Sequence, residues 1–215
     1  MTDFPIRVTA SAFAGRGLAC LRGERLVFSA LDFSLPASGV LVLTGPNGSG
    51  KTSLLRVMAG LTPAIEGRLL WDERDIGDDV ETHRSRLHYI GHQDGVKPSL
   101  TVGETLSFWA GMRGGSDVDA ALRHFRLARL AGMPCRLLSA GQRRRLALSR
   151  LVASAAPLWL LDEPLTGLDE EAVGDLAAAV AAHRARGGSV VLSTHAAFAL
   201  PGMQTLSLLD FQARA

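Results

Sequence analysis

The sequence predicts an α/β fold: a parallel sheet buried on both faces, a small antiparallel β subdomain ahead of it and a helical subdomain inserted within it. Three observations carry this. Short apolar runs without alternation, VLVL at Val40 to Leu43, LWLL at Leu158 to Leu161 and the SVVLS of SVVLSTH, read as strands covered on both faces. Helical periodicity with caps and terminating glycines separates them. The first run ends in a glycine-bounded loop, TGPNGSGKT, from which a helix starts.

Taken in order, residues Ile6 to Leu35 hold β-leaning pieces, RVTASAF, RLVFSAL and DFSL. Gly15, Gly17 and Gly23 break them and Pro36 closes them, which predicts the antiparallel sheet. After the loop a helix continues through Ser53 to Ala59 and stops at Gly60, with Pro63 beyond. EGRLLWD predicts another strand, the polar stretch Asp72 to Arg86 a loop, and LHYIG from Leu87 a strand. From Thr101 to Ala155 the pattern is helical. Val118, Ala121, Leu122 and Phe125 fall at helical spacing, and Ser116 and Asp119 stand at the spacing of a capping box. Asp169 to Arg186 predicts a helix ended by Gly187-Gly188. The chain, 1–215, reads as one domain, with the helical insertion over about 94–156.

Composition narrows the function classes. With 215 residues and 47% hydrophobic content the chain has enough material for one sizeable core. A net charge of +2 does not point to a nucleic-acid partner. Cys20 and Cys135 form no CxxC motif and predict reduced thiols in a cytosolic protein. The N-terminus has no signal-peptide pattern and no run of eighteen apolar residues occurs, so the chain is expected to be soluble or held on a membrane by a partner.

The chemistry starts at the loop. Gly45, Gly48 and Gly50 let successive backbone N–H groups converge on one anion, with Pro46, Asn47, Ser49 and Ser53 completing the cradle. Lys51 is placed to reach the outer phosphates, and Thr52 to offer a hydroxyl to Mg²⁺. The alternative is a glycine-rich turn with a surface lysine. The loop by itself implies nucleoside triphosphate binding and no more. In a parallel sheet ligands bind beyond the carboxyl ends of the strands, where Thr44, Asp162 and His195 should meet. Asp162 and Glu163 are expected to divide the work, Mg²⁺ to the first and the attacking water to the second. Ser139 in LSAGQ either caps a helix with a solvated basic face or brings an anion-binding helix end.

At this point the chain resembles the nucleotide-binding subunits of ABC transporters over essentially its whole length. The order of motifs carries it: GPNGSGKT, Gln93, LSAGQ (Leu138 to Gln142), LWLLDEP, LTGLD (Leu165 to Asp169) and His195. The resemblance implies an ABC-type P-loop NTPase that hydrolyses ATP with Mg²⁺ and works as a head-to-tail dimer of two copies with two ATPs between them. It implies that Gln93 senses Mg²⁺ and the cargo. Ser139 and Gly141, with Gln142 beside them, contact the opposing γ-phosphate. Glu163 polarises the water, Asp169 organises the dimer seam and His195 holds the γ-phosphate. Thr52, Gln93 and Asp162 form the Mg²⁺ set.

Two departures stand out: Ala140 where glycine is common, and Arg22 about where an aromatic ring usually stacks on adenine, which leaves base selectivity open. Within the family, YIGHQDGVK, LSAGQRRRLALSRL and LWLLDEPLTGLD resemble the ATP-binding subunit of the bacterial cytochrome c maturation (haem exporter) system. That implies a position on the cytoplasmic face of the inner membrane, held there by a separate transmembrane permease, with hydrolysis supporting haem delivery. The permease groove is expected around Gln93 to Leu106, with Phe108 and Trp109 either on its wall or in the core. The competing readings are an ABC ATPase exporting another substrate and a non-transport ABC ATPase acting on nucleic acid or ribosomes. The latter relatives usually carry two cassettes or a long coiled-coil insertion, and this chain has no sustained heptads. A small nucleoside kinase on the same loop has no reason to keep LSAGQ and LTGLD.

Overall fold

The computed structural model describes residues 12–115, 117–195, 198 and 200–212, so most of RVTASAF and the expected cap Ser116 lie outside the described residues. Strands β1 (Phe13–Arg22) and β2 (Arg25–Leu35) form an antiparallel hairpin. Of the three expected breakers, only Gly23 lies in the turn. Gly15 and Gly17 sit inside β1, and RLVFSAL and DFSL are one strand. A Cβ at Gly15 would run into the ring of Phe33, so glycine serves close packing there. Gly17, at φ 58°, lies where the register shifts between Gly15 and Leu18.

β3 (Val40–Thr44) leads through the glycine loop into α1 (Lys51–Met58). β4 (Glu66–Trp71) returns to pair with β1, and β5 (Arg74–Asp75) pairs with β4. The loop expected over Asp72 to Arg86 is therefore wrong in part: it holds β5, a 3₁₀ turn at Ile76–Asp78 and α2 (Val80–Ser85). Asp79 caps α2 by accepting from the Thr82 N–H at 2.9 Å, and the buried His83 bonds the Met58 carbonyl at 2.8 Å and stacks on Phe13. Tertiary contacts, not amphipathic periodicity, order this polar segment.

Next come β6 (Leu87–Ile90), α3 (Val102–Gly111), α4 (Val118–His124), α5 (Ala140–Ala153), β7 (Leu158–Leu161), α6 (Glu170–Ala185), β8 (Ser189–Ser193) and β9 (Met203–Ser207). Asp117 precedes α4 without a side-chain cap bond, whereas Thr101 and Glu104 form a full capping box on α3. Edge strand β9, MQTLS, is half exposed and carries no strand signal in its residues.

The four-stranded antiparallel sheet runs β2-β1-β4-β5 and the five-stranded parallel sheet β6-β7-β8-β3-β9. The sequence order is thus rearranged so that the carboxyl ends of β6, β7, β8 and β3 stand side by side. Alternation along the strands splits the core. Leu41, Leu43, Leu158 and Leu160 pack with α1 and the antiparallel sheet, while Val40, Val42, Trp159, Leu161 and Leu192 pack with the helices α3 to α6.

Three buried histidines make this core sensitive to acid. Burial pulls His88 down to about 3 and His183 to about 4, and lowers His83 as well. His183 lies stacked on Trp159 at 3.9 Å between ring centroids. All three are neutral in the fold near pH 7, while the unfolded chain takes up protons below about 6.5. Their stability contribution is full above that pH and is lost as pH falls toward 4, by up to about 1.4 kcal/mol per unit and histidine. Thermal unfolding from pH 7.5 to 4.5 is expected to show Tm dropping by about 10 °C or more. A flat Tm profile would mean that these rings bind protons in the fold.

Candidate phosphate site

The loop between β3 and α1 turns on Gly45, Gly48 and Gly50, at φ 136°, 80° and 107°. These values favour glycine and aim backbone N–H groups inward. A Cβ at Gly50 would lie 2.5 Å from Val27 Cγ1, so the β1–β2 hairpin leans directly on the loop. Lys51 begins α1 and its ammonium folds back, donating to the carbonyls of Gly45 at 2.8 Å and Pro46 at 3.1 Å. It stands 3.0 Å from His195 Nε2.

Thr52 donates its hydroxyl to Asp162 Oδ2 at 2.8 Å, and Ser193 donates to Asp162 Oδ1 at 2.7 Å. The same Ser193 oxygen accepts the Glu163 N–H at 2.9 Å. Glu163 has φ 46°, a left-handed conformation that costs a non-glycine residue about 1–2 kcal/mol. Its Oε1 lies 3.1 Å from His195 Nε2 without forming an aligned hydrogen bond, and so is a buried acceptor with no partner. Ser49 Oγ is a second such atom in the loop. Two buried oxygens without partners beside an ammonium and a ring of N–H donors suit a site built for a hydrated phosphate. The paired Thr52 hydroxyl and Asp162 carboxylate are hard oxygen donors of the kind Mg²⁺ takes.

A cavity of about 300 Å³ opens here, lined by Gly48, Lys51, Thr52 and Glu163 together with Arg22 and Arg25. The two arginines are register partners at the end of the β1–β2 hairpin. Arg22 thus lines the same cavity as the glycine loop. Gln93 is exposed and forms no hydrogen bond with Thr52 or Asp162, though all three line a second, larger cleft of about 1230 Å³. Trp109 lies on the wall of that cleft beneath the Arg150 guanidinium, 3.7 Å from the ring centroid. Burial and the nearby Arg113 bring Arg150 down to about 10. Phe108 is 56% exposed, so neither aromatic belongs to the core.

Ser139, Gly141 and Gln142 form a separate group. Ser139 Oγ accepts the Gln142 N–H at 3.2 Å and the Gln142 side chain accepts the Ser139 N–H at 2.9 Å, a reciprocal box that opens α5. Gly141 packs against the Gly167 carbonyl. Asp169 caps α6 through Ala172 N–H at 2.9 Å and pairs with Arg145 at 2.5 Å. Among the described residues that line the 300 Å³ cavity, none comes from 139–142.

Two residues escaped the sequence reading. Ser193 ends an apolar strand and looked like one more buried position. Arg144 sits in a run of three arginines, yet Ala147, Leu148 and Leu151 are buried at three, four and seven residues beyond it. That stripe was the available signal.

A family model described as ABC transporter matches residues 28–166. The cytochrome c biogenesis ATP-binding export protein CcmA of Paramagnetospirillum magneticum is 54% identical over 207 residues, covering 94% of this chain and 95% of its own. The protein of that name from Rhodospirillum rubrum is 51% identical, covering 93% and 86%. Among solved structures, an ATP-binding subunit of an ABC transporter superposes with a TM-score of 0.78 at 26% identity, over 85% of this chain and 79% of its own. An ABC transporter ATP-binding protein from Pyrococcus furiosus gives 0.81 at 18% identity, over 94% and 100%.

Proposed function

The chain belongs to the ABC transporter ATP-binding family, among the cytochrome c biogenesis ATP-binding export proteins, and from that premise we propose that it hydrolyses ATP to drive haem export for c-type cytochrome assembly. The observation that carries the chemistry is the meeting of Lys51, Thr52, Asp162, Glu163 and His195 at the carboxyl edge of the parallel sheet. The glycine loop, Gly45 to Ser53, binds the triphosphate through backbone N–H groups and the Lys51 ammonium. Glu163 holds the attacking water at its free oxygen and takes its proton, while His195 orients the outer phosphate. Thr52, Asp162 and Gln93 would hold Mg²⁺, which would supply charge neutralisation on the phosphate oxygens. Ser139, Gly141 and Gln142 act on the phosphate of a second copy. Catalysis is positioning and charge stabilisation, with no covalent intermediate.

The partner is a separate membrane permease, and the chain works on the cytoplasmic face of the membrane. No helix among the described residues is long and apolar enough to cross a membrane. The docking cleft is the one bounded by Gln93, Trp109 and Met112 and rimmed by Arg56, Arg84 and Arg113. Met112, one of its lining residues, is 66% exposed. From solubilised membranes the chain is expected to co-purify with a multi-span subunit. Met112→Asp should release it while ATP binding persists, and retention would move the interface elsewhere. For the cargo, cells whose sole copy carries a Glu163→Gln chain shown to have lost hydrolysis should lack haem-stained c-type cytochromes on gels; normal staining in those cells would sink the haem assignment.

A further inference from the structure

Arg144 is an arginine buried to 5% exposure in α5, and every N–H it owns is spent on backbone or carboxylate of two other segments. Nη2 donates to the Asp162 carbonyl at 2.7 Å and to the Glu163 carbonyl at 2.9 Å. Nε donates to the Pro164 carbonyl at 3.3 Å. Nη1 donates to the Gly91 carbonyl at 2.9 Å and to Asp94 Oδ1 at 3.1 Å. Five donors meet five acceptors, a match that only a planar guanidinium supplies. One side chain thus ties the helix that begins at Ser139, the segment that carries Gln93, and the turn that carries Glu163.

The geometry points to Arg144 as a positioning residue that holds Glu163 in its left-handed backbone conformation and couples it to the Gly91–Asp94 segment. At φ 46° the Glu163 backbone stays put only if its surroundings over-determine it. Its N–H is fixed by Ser193, its carbonyl by Arg144 and the Thr166 N–H at 3.2 Å. Arg144 also pins the carbonyls on either side, so all three carbonyls of the Asp162–Pro164 turn accept from one guanidinium. Asp94, partly exposed, is the only charged group of the Gln93 segment that touches it. A displacement of Gly91–Asp94 therefore changes the hold on Glu163 without passing through Gln93 or Mg²⁺. The functional half of this inference rests on the reading of Glu163 as the residue that activates water. The structural half does not.

The test uses Arg144→Gln, Arg144→Lys and Asp94→Ala in the complex with its membrane partner, with Glu163→Gln alongside. Arg144→Gln is expected to lower kcat about 10²-fold, the usual cost of misplacing a reacting group by about 1 Å, while KM for ATP moves less than about threefold. Arg144→Lys, with three donors in place of five, should recover about tenfold of that loss. Amide hydrogen exchange over residues 162–166 should rise about tenfold or more in Arg144→Gln and less in Asp94→Ala, with β3 unchanged. Unchanged exchange over 162–166 in either Arg144 variant, or kcat within threefold of the unaltered protein, would overturn the positioning role. If Arg144→Gln does not fold, Arg144→Lys and Asp94→Ala decide by the same two readouts. Normal hydrolysis by Glu163→Gln would instead remove Glu163 from the reaction, and the exchange measurement, which needs no turnover, still judges Arg144.

Discussion

Glu163→Gln is expected to bind ATP as tightly as the unaltered chain and to hydrolyse it about 10²- to 10⁴-fold more slowly. The amide keeps the size of the carboxylate and leaves the backbone ties to Ser193 and Arg144 in place. What it removes is the proton acceptor at the buried oxygen, which makes no hydrogen bond and stands 3.1 Å from His195 Nε2. Lys51→Ala should behave in the opposite way. The ammonium is the charge at the centre of the loop, and losing a charged hydrogen bond of about 1.5–3 kcal/mol weakens nucleotide binding roughly 10- to 100-fold. Nucleotide titration and phosphate release, measured on both variants, separate the two roles. Normal turnover in Glu163→Gln would take that residue out of the mechanism.

The second large effect is complementation between two dead chains. Each chain is expected to lack half of its own site, because the capped start of α5 does not reach the cavity around Lys51. Ser139→Arg blocks that helix end and Lys51→Ala empties the loop, so each variant alone should lose about 10²- to 10³-fold or more in rate. Mixed with the membrane partner present, the loop of the first and the helix end of the second form one intact site, and hydrolysis should exceed that of either parent. A mixture as inactive as its parents leaves two explanations, sites that cannot fire singly or a wrong pairing. A mixed dimer of unaltered and Lys51→Ala chains, which also keeps one intact site, tells them apart.

Much of this was legible in the residues, for reasons that can be named. β3, β7 and β8 are buried on both faces, which forces continuous apolar runs, and α6 is bracketed by Asp169 and Gly187. Lys51, Thr52, Asp162, Glu163 and His195 follow strand ends, so finding the strands was enough to bring these five side chains together. Other features were hidden because the cause lies elsewhere in the chain. α2 owes its order to His83 reaching Met58, 25 residues away. Gly15 looked like a stop because the ring of Phe33 that requires it belongs to another strand. Among the three consecutive arginines, a helix advances about 100° per residue. Arg143 turns back to the Leu138 carbonyl, Arg145 goes to Asp169, and only Arg144 points inward.

The strand order β6-β7-β8-β3 has a mechanical consequence. It places Gln93, the Asp162–Glu163 pair, His195 and Lys51 at the ends of four successive strands, whatever their order in the chain. Neighbouring strands are about 4.8 Å apart, so the four strand ends span about 14 Å. No side chain bridges that length. A push at the Gln93 end therefore has two routes to the lysine end, leverage through the strands and a relay of short side-chain ties, Arg144 to the Glu163 turn, Thr52 to Asp162 at 2.8 Å and Glu163 to His195 to Lys51 at 3.1 and 3.0 Å, and the stiffness of the sheet sets how the load divides between them.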